Sequence, residues 1–221
     1  MIRSIPDRQK GVYMRRRLGI AGLVLLSLAS LGQATAIAGH DYVVLDVPQR
    51  QDTKGKIEII EFFSWGCQHC YEFSSLLNRW LATLPKDAVF RRVPVSFGHP
   101  EWEALARAYY ALQATGDLAR LDSQIFEAIH IDHVSLFDEP SITAWVGKHG
   151  VNVTEFTKAF NGFGVGTSLG QAEQAAMAYR VSGIPTLAIG GRYTVTDDHT
   201  KMLVTSDELI AKVRAEGKPK K

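Results

Sequence analysis

Only two of the 221 residues are cysteine, Cys67 and Cys70, so a framework of several disulfides is excluded. No cysteine lies near residues 34–38, which excludes a lipid-modified N-terminus there. A long hydrophobic run is also missing. The most apolar stretch, Leu18 to Leu31, has 14 residues, short of the ~20 that a membrane-spanning helix needs. Repeats and low-complexity segments are absent, and neither sign of charge dominates. The formal net charge of +2 hides a division. Residues 1–38 carry six Lys/Arg and one acidic residue, a net +5, while residues 39–221 carry nineteen against twenty-two, a net −3. A mildly acidic body offers nothing to a nucleic-acid backbone. Apolar and charged residues make up 46% and 22% of the chain, as in an ordinary globular protein, and the length suits one domain with a large insertion.

The basic Arg15-Arg16-Arg17, the apolar run and the small-residue sites Ala34-Thr35-Ala36 and Ala36-Ile37-Ala38 read as a secretory signal peptide over residues 1–38. It is cleaved after Ala36 or Ala38, with Met1 or Met14 as the start. An uncleaved anchor is the alternative. The arginines lack the flanking residues of a twin-arginine signal, so general export to the periplasm is expected. In an oxidising compartment a cysteine pair is usually one of several staples. Here there are no others, and a bridge closing so short a loop restrains the unfolded chain little.

In the body, residues 42–47 read as a short strand. Residues 57–63, almost entirely apolar or β-branched, read as a central strand buried on both faces. From Cys67 the pattern turns helical and ends at Pro85. Residues 89–95 form the next strand, completing a βαβ unit with parallel strands. An all-helical block follows: Trp102 to Leu112 closed by Gly116, Leu118 to Ile129, a short helix around Ile142 closed by Gly150, and one opened by a capping box at Asn152 and Glu155. A longer helix is expected from about Ser168 to Tyr179. Strands at 185–189 and 192–195 then flank a two-residue turn, Gly190-Gly191. The last helix is placed at about 206–215, before a basic, disordered tail at 217–221. The predicted fold is α/β. A thioredoxin-like domain (39–98 and 166–216) carries an inserted all-helical domain (99–165).

Gly66 lets the chain turn from strand to helix, putting Cys67 at the helix start and Cys70 one turn in. Unpaired N–H groups and the helix dipole favour a thiolate at Cys67, aided by His69. Cys70, more buried, attacks or releases a mixed disulfide formed at Cys67. Such spacing alone also fits half a zinc site, although His130 and His133, the only close histidine pair, suit no familiar ligand pattern and read as ordinary polar residues of a loop. A structural disulfide is the other alternative. Glu61, a carboxylate near the end of an apolar strand, is either a buried proton relay to Cys70 or a strand-end salt bridge. No metal or cofactor is called for.

The segments Phe62-Phe63-Ser64-Trp65-Gly66-Cys67-Gln68-His69-Cys70-Tyr71, Gly183-Ile184-Pro185 and Gly190-Gly191-Arg192-Tyr193 resemble the periplasmic thiol:disulfide oxidases of DsbA type, over essentially the whole mature chain. The resemblance implies a thioredoxin fold and a monomer that donates its disulfide to newly exported proteins. Reoxidation would come from a quinone-linked membrane partner of DsbB type. By position it makes Cys67 the nucleophile, Cys70 its buried partner and His69 the residue stabilising the thiolate. Glu61 is then the buried acid. Ile184 and Pro185 form a cis-proline loop facing the cysteines, where substrate backbone pairs, with Gln68 beside it. Three departures stand out. Gln68 replaces the usual proline, Ile184 the commoner valine, and Arg92 is what this chain offers in place of a lysine paired with the acid. A reductase or isomerase shares the chemistry, but the N-terminal segment is too short for an isomerase's dimerisation domain. A chaperone-like binding module would leave the cysteines unexplained.

Overall fold

The computed structural model describes residues 35–217. Most of the expected signal segment and the tail beyond Gly217 lie outside these residues. The elements are β1 Val43–Val44, β2 Ile57–Phe63, α1 Gln68–Leu81, β3 Ala88–Pro94, α2 Pro100–Thr115, α3 Leu118–His130, α4 Glu139–Lys148, α5 Val153–Phe160, α6 Phe163–Ala178, β4 Thr186–Ile189, β5 Tyr193–Val195 and α7 His199–Glu216. The five strands form one mixed sheet in the order β1-β5-β4-β2-β3. All seven residues of β2 are buried, as its apolar run requires. β2 runs parallel to β3, from Ile57 opposite Ala88 to Phe63 opposite Pro94, and antiparallel to β4.

Alternation along β2 sends its side chains to opposite faces. Ile57 and Ile59 pack with Phe73 and Leu77 of α1 and Leu209 and Ile210 of α7. Ile60 and Phe62 pack with Ala172, Ala176 and Tyr179 at α6. A third core lies among α2–α5, and it takes in Phe63, Trp65 and both cysteines. The strand-to-helix turn is therefore walled by the helical block rather than merely near it. This is the thioredoxin fold with a helical insertion that the sequence predicts.

Several boundaries differ. β1 is two residues long because the chain then bends round the β4–β5 connection, where Leu45 and Gln49 N–H donate to the carbonyls of Arg192 and Gly191 (2.8 and 2.7 Å). That connection is not a two-residue turn. The ladder opens at Ile189 opposite Tyr193, leaving Gly190, Gly191 and Arg192 between the strands. α6 starts at Phe163, five residues before the expected Ser168, and runs through Gly164 and Gly166. α7 starts at His199, not near 206, because the Asp198 carboxylate accepts the N–H groups of Thr200 and Lys201.

Gly191 sits at φ +69°, and a Cβ there would lie 2.2 Å from the Gln49 carbonyl oxygen. Gly191→Ala is expected to destabilise the protein by about 1–3 kcal/mol, since a left-handed conformation and a backbone collision coincide. Urea unfolding measures this; a change below about 0.5 kcal/mol, the scale of ordinary surface substitutions, would mean that the Gln49 segment simply moves away.

Candidate active site

The turn between β2 and α1 is tied to itself. Cys67 N–H donates to the Ser64 carbonyl (3.1 Å) and Gly66 N–H to Ser64 Oγ (3.2 Å). Gly66 is required by packing: a Cβ would stand 2.7 Å from Trp102 Nε1. Cys67 is the N-cap of α1, with φ −90° and ψ 116°. Its sulfur accepts the backbone N–H of Cys70 at 3.3 Å, in the place of a capping oxygen. Its thiol also reaches the Ile184 carbonyl at 3.6 Å, and the Ile184–Pro185 peptide is cis. The two cysteines therefore meet the cis peptide loop at Ile184, 117 positions from Cys67 along the chain.

Both cysteines are free thiols, and their surroundings pull them apart. Cys67 is pushed down to about 7 by a hydrogen bond from the Cys70 thiol and the backbone N–H groups of Cys70 and His69, against the cost of burial. Cys70, wholly buried, is pushed well up, first by burial and then by the neighbouring Cys67 and Glu61. One thiol is ready to ionise near neutral pH and the other resists.

Gln68 and His69 are exposed beside Cys67. Among the described residues, neither side chain hydrogen-bonds the sulfur. Gln68 Nε2 donates to Glu72 Oε1 (3.0 Å) and His69 Nδ1 lies 3.4 Å from Glu72 Oε2. His69 acts on Cys67 mainly through its backbone N–H, with a smaller contribution from its charge.

Glu61 has no exposed surface. Its Oε2 accepts Arg92 Nε at 2.5 Å, whereas its Oε1 is buried without a partner. Burial raises the carboxyl above its ordinary value, and Arg92 only partly offsets this. Glu61 is thus salt-bridged, as one sequence reading expects, and holds its proton more tightly than an ordinary acid. Arg92 bonds in addition to Asp122 of α3, whose other oxygen accepts the indole N–H of Trp65 at 2.9 Å. Asp122 was invisible to the sequence reading, because helical periodicity places it as one more polar residue of α3. His130 differs from expectation too. It ends α3 rather than lying in a loop, its Nε2 donates to the Trp65 carbonyl (2.7 Å), and its ring stacks on Tyr71 (5.0 Å). No spacing signal marks it, since its partners are about 60 residues away.

Residues 58–209 match the family described as DSBA-like thioredoxin domain. The chain belongs to this family. It is 34% identical to the thiol:disulfide interchange protein DsbA of Bordetella pertussis, over 86% of this chain and 96% of the relative. The DsbA of Pseudomonas syringae pv. tomato is also 34% identical, over 94% and 100%. Among solved structures, Pseudomonas aeruginosa DsbA superposes with a TM-score of 0.79 at 32% identity, covering 83% of this chain and 97% of that one. The oxidoreductase DsbA from Xylella fastidiosa gives 0.77 at 33%, covering 81% and 98%. Membership of the DSBA-like family makes the protein a thiol:disulfide oxidoreductase. No described helix is long and apolar enough to cross a membrane.

Proposed function

We propose that this DSBA-like protein works in the periplasm as an oxidase, giving up a Cys67–Cys70 disulfide to newly exported proteins. A substrate thiolate attacks Cys67 Sγ. The Cys67–Cys70 bond breaks, and Cys70 leaves as a thiolate that takes a proton from Glu61, which regains one from solvent. A mixed disulfide now joins Cys67 to the substrate. A second substrate thiolate attacks the substrate's sulfur and releases Cys67 as a thiolate. The substrate has lost two electrons and the enzyme has gained them. A quinone-linked membrane partner of DsbB type takes those electrons and restores the disulfide. Substrate backbone lies along Ile184 and Pro185, with Gln68 at the margin.

The observation that carries this reading is the match of residues 58–209 to the DSBA-like family; the opposed thiols, a pattern that reductases with a nucleophile near 7 share, supply the nucleophile and the leaving group. A leaving thiol of low pKa departs faster, so Cys67 favours release of an oxidised substrate. The raised carboxyl of Glu61 supplies the proton that Cys70, strongly disinclined to remain a thiolate, requires.

Equilibration in glutathione buffers across pH tests the proposal. Below the Cys67 pKa of about 7, reduction binds two protons and the potential should fall by about 60 mV per pH unit. Above it, Cys67 remains ionised, one proton is bound, and the slope should halve to about 30 mV. Because the thiolate stabilises the reduced form only above its pKa, the pair grows more oxidising, relative to an unperturbed pair, as pH rises through 7. A potential above about −180 mV at pH 7 is expected; one near about −270 mV, in the range of thioredoxins, would make the protein a reductase instead.

A further inference from the structure

Asp122 touches neither cysteine, yet it holds both Trp65, two positions before Cys67, and Arg92, the partner of Glu61. It stands on α3 with its side chain about a quarter exposed. One oxygen accepts the indole N–H of Trp65, two positions ahead of Cys67, and the other takes Arg92 Nη1. Arg92 Nε in turn holds Glu61. The Arg92 side chain is 8% exposed, and its guanidinium lies 5.2 Å from the Phe63 ring centroid and 5.9 Å from that of Phe126. Two carboxylates thus share one buried cation inside an aromatic wall. The ionisable groups facing Glu61 from the surrounding elements are Arg92 on β3, Cys70 on α1, Asp122 on α3 and, more remotely, Tyr109 on α2.

The charge count has a consequence. A buried guanidinium left unpaired is costly. If Glu61 were its only counter-charge, protonating Glu61 would strand the cation, and the acid would stay ionised. With Asp122 in place, Arg92 remains paired in either state of Glu61. The unpartnered, buried Oε1 of Glu61 is then free to hold a proton.

We infer that Asp122 is a positioning residue of the redox site, keeping Arg92 neutralised so that Glu61 can exchange a proton with Cys70. This rests on the reading above, in which Glu61 protonates the departing Cys70. In agreement with the geometry, the charge of Asp122 itself opposes ionisation of Glu61.

The test is the titration of Glu61, followed by carbon-13 NMR of its carboxyl group in the reduced full-length protein. Asp122→Asn removes the charge and keeps an oxygen for Trp65. It is expected to make Glu61 about tenfold easier to ionise, whereas Asp122→Glu should restore most of the wild-type titration. Trp65→Phe deletes the indole bond and keeps the charge, so it should move the titration far less. Unchanged Glu61 titration in folded Asp122→Asn overturns the proposal, as does an equal shift in Trp65→Phe, which would mark a packing effect. Stopped-flow reduction of the disulfide by a small dithiol then separates this inference from the reading it rests on. Asp122→Asn should slow the step about tenfold at pH 7, with no further loss in a Glu61→Gln background. If Glu61→Gln alone changes nothing, the proton transfer from Glu61 is wrong, and the role of Asp122 in the reaction falls with it.

Discussion

Cys67→Ser is expected to abolish dithiol oxidation outright, while Cys70→Ser leaves a protein that still reacts once and then stops. The two thiols differ in every property that decides reactivity. Cys67 caps α1, keeps 7% of its surface and ionises at about 7; Cys70 keeps none and is pushed well up. At pH 7 about half of Cys67 is thiolate, against ~3% of an unperturbed thiol with pKa ~8.5. The remaining thiol of reduced Cys70→Ser should therefore attack disulfides readily. The mixed disulfide would persist, because no second thiol is there to resolve it. Mass spectrometry of Cys70→Ser incubated with a disulfide-bearing peptide should show a stable adduct at Cys67. Cys67→Ser under the same conditions should show almost none. Comparable adducts in both would mean that the assignment of nucleophile and buried partner is reversed.

The second large effect falls on stability. Arg92→Met should destabilise the protein by about 3–5 kcal/mol at pH 7–8, the scale for removing one partner of a buried ion pair. Glu61, with no exposed surface, would lose its counter-charge, and Asp122 would lose the same partner. The sign of the pH dependence follows. Without Arg92 the folded-state pKa of Glu61 lies even further above its unfolded value, so the folded protein binds a proton that the unfolded one has released. The penalty is absent below the unfolded pKa of ~4.3 and grows as pH rises through the interval up to the folded value. Denaturant midpoints of the variant should accordingly approach wild type near pH 4.5 and fall away by pH 8. A loss that is equal at both pH values would assign the effect to lost stacking on Phe63 and Phe126 instead.

Sequence and structure agree where a short-range pattern decides the outcome. The mostly apolar seven residues of β2, the helical spacing after Cys67 and the Gly66-Cys67 junction are local, and the βαβ unit follows from their order. Arg92 entered only through the resemblance, with its pairing to Glu61 left open; the pairing follows from strand register, since the two residues stand opposite each other on adjacent parallel strands. The helix starts at Phe163 and His199 were hidden for a different reason. One run contains glycines that its packing tolerates, and the other begins with polar residues whose helix is set by the Asp198 cap. Asp122 and His130 were the least accessible. Each gains its meaning from partners far along the chain, Trp65 at 57 and 65 residues, with Arg92 as well for Asp122 and Tyr71 for His130, and nothing in the composition of α3 announces them.

The contacts on the Cys67 turn limit how far its chemistry is portable. Trp102 presses against Gly66, His130 holds the Trp65 carbonyl, and Asp122 holds the Trp65 indole, all from helices that the plain thioredoxin scaffold does not possess. A graft of the tetrapeptide Cys67–Cys70 onto such a scaffold would transfer the letters without their surroundings. Shaving α2–α5 away to make a minimal oxidant would do the same in reverse. The smallest transferable unit is the turn together with the helices that grip it.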